Sequence, residues 1–547
     1  MTRRLPLLAL LLFVGACTTD APAGEAAPPT EPSVTASPDA SPAALGRYAE
    51  IACDLPRNQL QRIVNGYITG KSGEIQFVLR TPHFFGLYSH SGPWNYLQRV
   101  PIFFYGPGHV PAAGQIGRPV TVADMAPTLA GHLGFEFDTA DGDPLAEAIE
   151  GSGDPPRLVL VVVWDAGGRN VLAAHQAAWT PVSRLIPQGA WFEHATVGSS
   201  PSVTPAVHAT LGSGVLPRRH GVLDLRIREG DKLVGPILNG PQYMLEPTLA
   251  DEWDRANGNR PVIGLIASEP TLGMMGHGSY LDGADRDIAL GQREGIWGLT
   301  PENQKYFEFR DYVNDIGGLD EAVRRLDTED GTLDGAWLGH PLETPDDILH
   351  TPAYAEYQTD VIAEVIRREG FGEDEVPDIL FTNYKQIDKM GHRWSFPTPQ
   401  MAAVVRSSAR EFVALTRLLD REVGRGEWVM ALTADHGATP LASQTGAYAI
   451  DQNALTDDIN AALDTDGDAV PVVSSFRVTQ LWINVAELEE NGHVLGDVAD
   501  FLMEYTALDN TADPAALSPS LQNERLFAAA FPGTVLDGLP CLDQPSG

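Results

Sequence analysis

Cysteine and positive charge are what this chain has least of. Three cysteines among 547 residues are too few to staple a small scaffold, so the fold must rest on an apolar core, and their odd number calls for an explanation. Lys and Arg number 37 against 73 Asp and Glu, a formal charge of −36. So few cations cannot neutralise a run of phosphates, which argues against polymeric nucleic acid as a partner. A few phosphate groups held through metal ions stay open. Beyond the N-terminus there is no run of about 18 apolar residues, hence no second membrane span. The remainder, 43% hydrophobic and 20% charged, is an ordinary globular composition that excludes disordered and collagen-like chains. The length allows several domains or one large α/β domain with insertions.

At the N-terminus, Arg3 and Arg4 precede an apolar run from Leu5 to Val14, and small residues lead to Cys17. The run is too short for a permanent span and has the layout of a signal peptide over residues 1–17. Val14-Gly15-Ala16-Cys17 resembles the lipobox of bacterial lipoproteins, which implies cleavage before Cys17, a diacylglycerol on its sulfur and an extracytoplasmic protein anchored to the cell membrane. An ordinary secretory signal that happens to contain a Cys is the plainer alternative. Residues 18–45, mostly Ala, Pro, Ser and Thr, have almost nothing to bury and read as a flexible tether. The folded part is expected over 46–547.

From residue 46 onward short apolar runs alternate with helix-like segments, which predicts an α/β fold with a mainly parallel central sheet flanked by helices. The clearest strands are Leu158–Trp164, Val262–Ile266, Asp378–Thr382 and Trp428–Thr433. Three of them lead into acids: Asp165, Asp388 a few residues on, and Asp435 with His436. Ligands of open α/β sheets bind beyond the carboxyl ends of strands, so the fold would gather these acids. Singly, an Asp after a strand is more often a turn former or a helix cap. Together, Asp165, Asp388, His392, Asp435 and His436 supply three carboxylates and two imidazoles, a set suited to divalent metals such as zinc. The spacing of Asp388 and His392 fits one face of a helical turn or the ends of a tight loop, and leaves the number of metals open. Between the first and second acids, Thr204 before Pro205 reads as an N-cap, its hydroxyl at the positive end of a helix. Beside a metal ion such a hydroxyl can be deprotonated and attack.

These residues resemble the alkaline phosphatase superfamily, most closely its type I phosphodiesterase/nucleotide pyrophosphatase branch. The matching motifs are VVVWDAGG around Asp165, VTPAVHATLGSGVLPRRHGV from Val203, IDKMGHRW around Asp388 and His392, and LTADHG around Asp435 and His436. The resemblance implies that Thr204 is the nucleophile and that two divalent metal ions, zinc by family, act together. Asp165, Thr204, Asp435 and His436 would hold one, and Asp388, His392 and a third ligand from a late His loop the other. His208 would be a helix-packing residue.

The late His is absent where the family has it. After His436 the sequence offers only His493, in the solvated segment AELEENGHVLGD. Residues 74–135, however, resemble the family's C-terminal strand, His loop, strand and helix, with His90 at the place of the missing ligand. The resemblance therefore implies a circular permutation, the usual last block standing first, within 46–150. It also implies a pairing of Cys53 with Cys541, which would be near neighbours in the unpermuted order. Two stretches, 270–376 and 445–530, interrupt the core and are expected to form caps beside the site.

The resemblance implies a small phosphate ester as substrate. In the diesterase branch an Asn about twenty residues after the nucleophile contacts the phosphoryl group; here Asp224 and Leu225 stand at that offset. Monoesterase relatives carry a Lys and an Arg after a strand comparable to VIGLIAS, where this chain has Glu269-Pro270-Thr271-Leu272. Without those cations a dianionic phosphoryl group loses a charge-assisted clamp, which favours a diester or pyrophosphate bond; Arg226 and Arg228 are candidate replacements. The formylglycine motif of sulfatases does not fit Ser202-Val203-Thr204-Pro205. Two other readings are a phosphomonoesterase of the same fold and a non-catalytic, metal-containing surface lipoprotein.

Overall fold

The run Leu158–Trp164 is apolar at every position and becomes a fully buried strand. Leu158, Leu160, Val162 and Trp164 enter one core, and Val159, Val161 and Val163 enter another on the opposite face. A strand buried on both sides requires helices on both sides of its sheet. The computed structural model describes residues 42–86, 89–149, 154–278, 286–293 and 295–542. Among them, nine strands form the central sheet, in the order Ile296–Trp297, Ile288–Arg293, Ile263–Ala267, Asp378–Tyr384, Leu158–Trp164, Trp428–Thr433, Ile102–Tyr105, Ala190–Thr196 and Gly114–Thr121. The sheet is mainly parallel. Ile102–Tyr105 runs against both of its neighbours and Ile296–Trp297 folds back on its own. Asp378–Tyr384 extends two residues beyond the expected Thr382, because pairing continues to Tyr384 opposite Trp164.

Helices Pro352–Glu369 and Pro399–Leu419 cover one face through Tyr354, Val361, Val404 and Phe412. Thr398 starts the second of these by accepting the Met401 N–H at 3.3 Å, satisfying a donor that the helix cannot pair internally. The other face carries Met125–His132, Thr204–Ser213 and Leu249–Asn257 through Leu129, Val207 and Leu249.

A smaller antiparallel sheet, with its own core, has the order Val473–Arg477, Gln480–Ile483, Ile75–Leu79, Phe527–Pro532. An N-terminal strand thus lies between two C-terminal ones. The described residues between 42 and 149 give one strand to this sheet, and Ile102–Tyr105 and Gly114–Thr121 to the central one.

Three expectations are corrected. Helix Pro42–Cys53 begins before residue 46, since Tyr48 and Ala52 bury in the second core. Within 270–376, strands Ile288–Arg293 and Ile296–Trp297 extend the central sheet and helix Pro352–Glu369 lines its core, so much of this stretch is framework and not cap. The stretch 445–530 supplies strands and helices of the second sheet's core. The signal segment 1–17, its Cys17 and the tether through residue 41 lie outside the described residues. Among the described residues no helix is long and apolar enough to cross a membrane.

Cys53 and Cys541 are joined by a disulfide, their Cα atoms 5.9 Å apart across 488 positions of sequence. It closes nearly the whole folded chain into a ring. Replacing both cysteines by Ala is expected to lower the unfolding free energy by about 2–4 kcal/mol. Urea titrations of the oxidised and reduced protein beside the double variant check this; a reduced wild type as stable as the oxidised one contradicts it.

Candidate active site

Sheet register assembles the site. Tyr384 pairs with Trp164, and Thr433 with Val163, so the chain leaves three neighbouring strands almost level, at Asp165, Lys385 and Ala434-Asp435. The turns that follow lie very close together. Ala166 takes φ 56° and donates its N–H to Asp435 Oδ1 at 2.9 Å. A Cβ on Gly168 would sit 2.4 Å from Gly437 Cα, and one on Gly437 2.5 Å from the Tyr96 carbonyl oxygen. Only two glycines allow these backbones to meet.

Thr204 is the first residue of helix Thr204–Ser213, with Val203 in the cap position; the expected cap is thus displaced by one residue. Its hydroxyl accepts from Lys385 Nζ at 3.1 Å. His208, one turn on, is fully buried: Nδ1 lies 2.7 Å from the Thr204 carbonyl oxygen and Nε2 2.9 Å from Asn383 Nδ2. Those partners assign the proton to Nδ1, which donates to the carbonyl, while Nε2 accepts from the amide. Burial pushes His208 down to about 4, so it is neutral. Asn383 Nδ2 also donates to Asp165 Oδ2 at 2.9 Å, which ties the start of the helix to the strand end.

Two clusters of potential ligands are linked to this hydroxyl through Lys385, which contacts Asp165 in one and Asp388 in the other. In the first, Asp165, Asp435 and His436 are wholly buried, and His436 Nε2 lies 3.7 Å from Asp165 Oδ1 and 3.4 Å from Asp435 Oδ2. These three atoms have no hydrogen-bond partner among the described residues. Buried polar atoms are rarely left so, and two carboxylates converging on one imidazole are the donor set a divalent cation takes. In the second cluster, helix Gln386–Trp394 carries Asp388 and His392 one turn apart; Asp388 Oδ1 is 3.3 Å from His392 Nε2 and 3.9 Å from His90 Nε2. Both residue trios have ligand atoms within 4.8 Å of one another, so the residues fit the expected metals.

His90 arrives from the far end of the sequence and is held by its neighbours. Ser202 Oγ donates to its carbonyl at 2.9 Å, and Ser89 exchanges hydrogen bonds with Thr439, three residues past His436. The His90 ring stacks on that of His436 at 3.9 Å, which brings the clusters side by side.

Charge is dense here. Burial, then Asp435, pushes Asp165 up to about 6. Burial alone would raise Asp388 too, but Lys385, His392 and His90 hold it well below the usual carboxylate range. Burial, then His436, keeps His90 well below the ordinary imidazole value. Burial works against the charge on Lys385, yet Asp165, Asp388 and Asp435 outweigh it and keep the ammonium charged.

Lys385 and Asn383 escaped the sequence reading. The missing signal was register: only pairing of Tyr384 with Trp164 brings Lys385 level with Asp165. Other candidates lie elsewhere. Arg228 pairs with Glu74 at 3.1 Å and Arg226 is exposed. Asp224 is buried against the second sheet, accepting from Gln480 Nε2 at 2.9 Å. Glu269 is buried and bonded to Thr300 and Asn303. His493 sits beside Asp497, partly exposed.

Residues 159–527 match the model of the family "Type I phosphodiesterase / nucleotide pyrophosphatase"; His90 and the strands before it fall outside that match. A protein named calcium-transporting ATPase from Myroides odoratus is 37% identical over 102 residues, 18% of each chain. Alkaline phosphatase PafA of Elizabethkingia meningoseptica is 24% identical over 136 residues, 24% of this chain and 25% of that one. The alignments thus span a quarter or less of these relatives' lengths. The crystal structure of wild-type alkaline phosphatase PafA is similar with a TM-score of 0.50 at 14% identity, over 69% of this chain and 84% of that chain, a likeness of fold.

The glycine contact yields a prediction for the site. Gly437→Ala forces two backbone segments apart and is expected to cost about 1–3 kcal/mol of stability, with weaker metal binding. Urea unfolding and zinc titration check it; unchanged values in both would show that the loops have room to spare.

Proposed function

We propose that this chain, which belongs to the type I phosphodiesterase / nucleotide pyrophosphatase family, hydrolyses phosphodiester or pyrophosphate bonds of small substrates with Thr204 as nucleophile. The observation that carries the reading is the pair of His/Asp clusters joined to each other and to the Thr204 hydroxyl through Lys385. Divalent cations, zinc by the chemistry of the donors, held by Asp165, Thr204, Asp435 and His436 and by Asp388, His392 and His90, would supply the charge that acidifies a hydroxyl and neutralises a phosphoryl group.

The chain's own residues do the rest. Thr204 Oγ1 gives up its proton and bonds to phosphorus, and the leaving alcohol or phosphate departs, taking up a proton where it needs one. Water then breaks the bond between Thr204 Oγ1 and phosphorus, which releases the product and restores the hydroxyl. His208 and Asn383 hold Thr204 in place throughout, through its carbonyl and Asp165. The absence of a Lys or Arg from Glu269-Pro270-Thr271-Leu272, after strand Ile263–Ala267, favours a diester over the more highly charged monoester. A phosphomonoesterase is the second reading, favoured by the partial identity with alkaline phosphatase PafA.

His90 as a ligand is part of this proposal, and with it the circular permutation. Ile75–Leu79 lying between strands from the other end of the chain, and the ring stacking of His90 on His436, support both. A lipid on Cys17 would tether the enzyme outside the cytoplasm, a location that the Cys53–Cys541 disulfide favours.

The test is hydrolysis of bis(p-nitrophenyl) phosphate beside p-nitrophenyl phosphate, with zinc and with chelator. Diester turnover is expected to need zinc and to fall about a thousandfold or more in Thr204→Ala. Faster monoester hydrolysis would select the second reading, and no zinc-dependent turnover of either ester would leave a binding protein. Separately, His90→Ala is expected to lose about one of two bound zinc equivalents. Full metal content and an unchanged rate would remove His90 from the ligands, and the permutation argument with it.

A further inference from the structure

Lys385 touches both ligand clusters and Thr204. Its Nζ lies 2.7 Å from Asp165 Oδ2, 3.2 Å from Asp388 Oδ2 and 3.1 Å from Thr204 Oγ1. It takes the Oδ2 atom of one carboxylate from each cluster. The Oδ1 atoms are left facing the imidazoles, Asp165 toward His436 and Asp388 toward His392 and His90. The side chain is only 17% exposed, and two carboxylates at fixed distances hold the ammonium in one place. Among the described residues no other Lys or Arg hydrogen-bonds Thr204.

We propose that Lys385 is a catalytic residue that binds the phosphoryl group undergoing transfer. A phosphorus bonded to Thr204 Oγ1 carries its nonbridging oxygens one bond further out, so a donor already 3.1 Å from Oγ1 is within hydrogen-bond reach of one of them. An ammonium fixed in a partly dry site stabilises such an oxygen more than a mobile surface Lys does, because no reorganisation is needed as charge develops. Lys385 thereby supplies a contact that the other candidates do not: Asp224 is bonded to Gln480, Glu269 to Asn303, and Arg228 is paired with Glu74. The contact comes from the strand bearing the Asp388 helix, not from the helix that bears the nucleophile or the loop after Ile263–Ala267. This deepens the reading of Thr204 as nucleophile and rests on it.

The experiment compares full-length wild type, Lys385→Met and Lys385→Arg, each loaded with zinc. It measures zinc content, inorganic phosphate affinity by calorimetry, and kcat and KM for bis(p-nitrophenyl) phosphate. Lys385→Met is expected to keep its zinc while phosphate affinity falls about tenfold or more and kcat/KM about 100-fold or more. Lys385→Arg, which keeps the charge, is expected to recover part of both. Wild-type phosphate affinity and turnover in Lys385→Met overturn the proposal. Loss of zinc from Lys385→Met also overturns it, since the lysine would then serve the carboxylates and not the phosphoryl group. Should Lys385→Met not fold, Lys385→Gln is measured instead, with weakened phosphate binding expected and wild-type affinity overturning the idea. If the wild type turns over no ester, the nucleophile reading fails by itself, and the calorimetric comparison still decides whether Lys385 binds phosphate.

Discussion

Three buried carboxylates at one sheet edge, Asp165, Asp388 and Asp435, are the constraint on which the rest of this structure depends. Like charges in a site of low polarity repel strongly and cannot be screened by salt. Among the described residues the ammonium of Lys385 compensates, contacting two of the three. Ala166 N–H and Asn383 Nδ2 add partial positive charge. The remaining deficit fits this edge to hold a cation, and burial works against charge on His90, which completes one of the clusters.

Bringing the acids together costs space as well as charge. The turns after Leu158–Trp164 and Trp428–Thr433 touch at Gly168 and Gly437, and a third segment carrying His90 lies against both. That segment is fixed at several points: Ser202 and Thr439 bond the residues around His90, Ile102–Tyr105 enters the central sheet, and Ile75–Leu79 pairs with strands near the end of the chain. The Cys53–Cys541 disulfide closes the same arrangement from outside. Position in the sequence and position in the site are thus unrelated here; the distances over which the chain returns are hundreds of residues, as from His90 to Asp388.

The acidic balance of the whole chain is consistent with this centre. A surface with few cations offers no broad phosphate-binding face. The candidate metal ligands gather beside Lys385, and Glu269 lies buried after a neighbouring strand, bonded to Asn303.

Apolar runs with acids at their ends made the mainly parallel sheet, and Asp165, Asp388, His392, Asp435 and His436 as candidates, legible in the sequence, because strand burial and strand-end chemistry are local properties. The motif order made His90 and Thr204 legible through resemblance. Local pattern did not reveal that residues 270–376 extend the sheet or that 445–530 builds a second core, because short strands become strands only when a partner is beside them. Nor could it find Lys385, in a segment, YKQID, that reads as an ordinary polar turn. Its role rests on the alignment of Tyr384 with Trp164, and register is a relation between two strands that neither one carries alone. The sequence by itself determined which chemical groups were present and which ends of strands would carry them; tertiary structure alone decided which of them share a point in space, since only packing fixes register and loop approach.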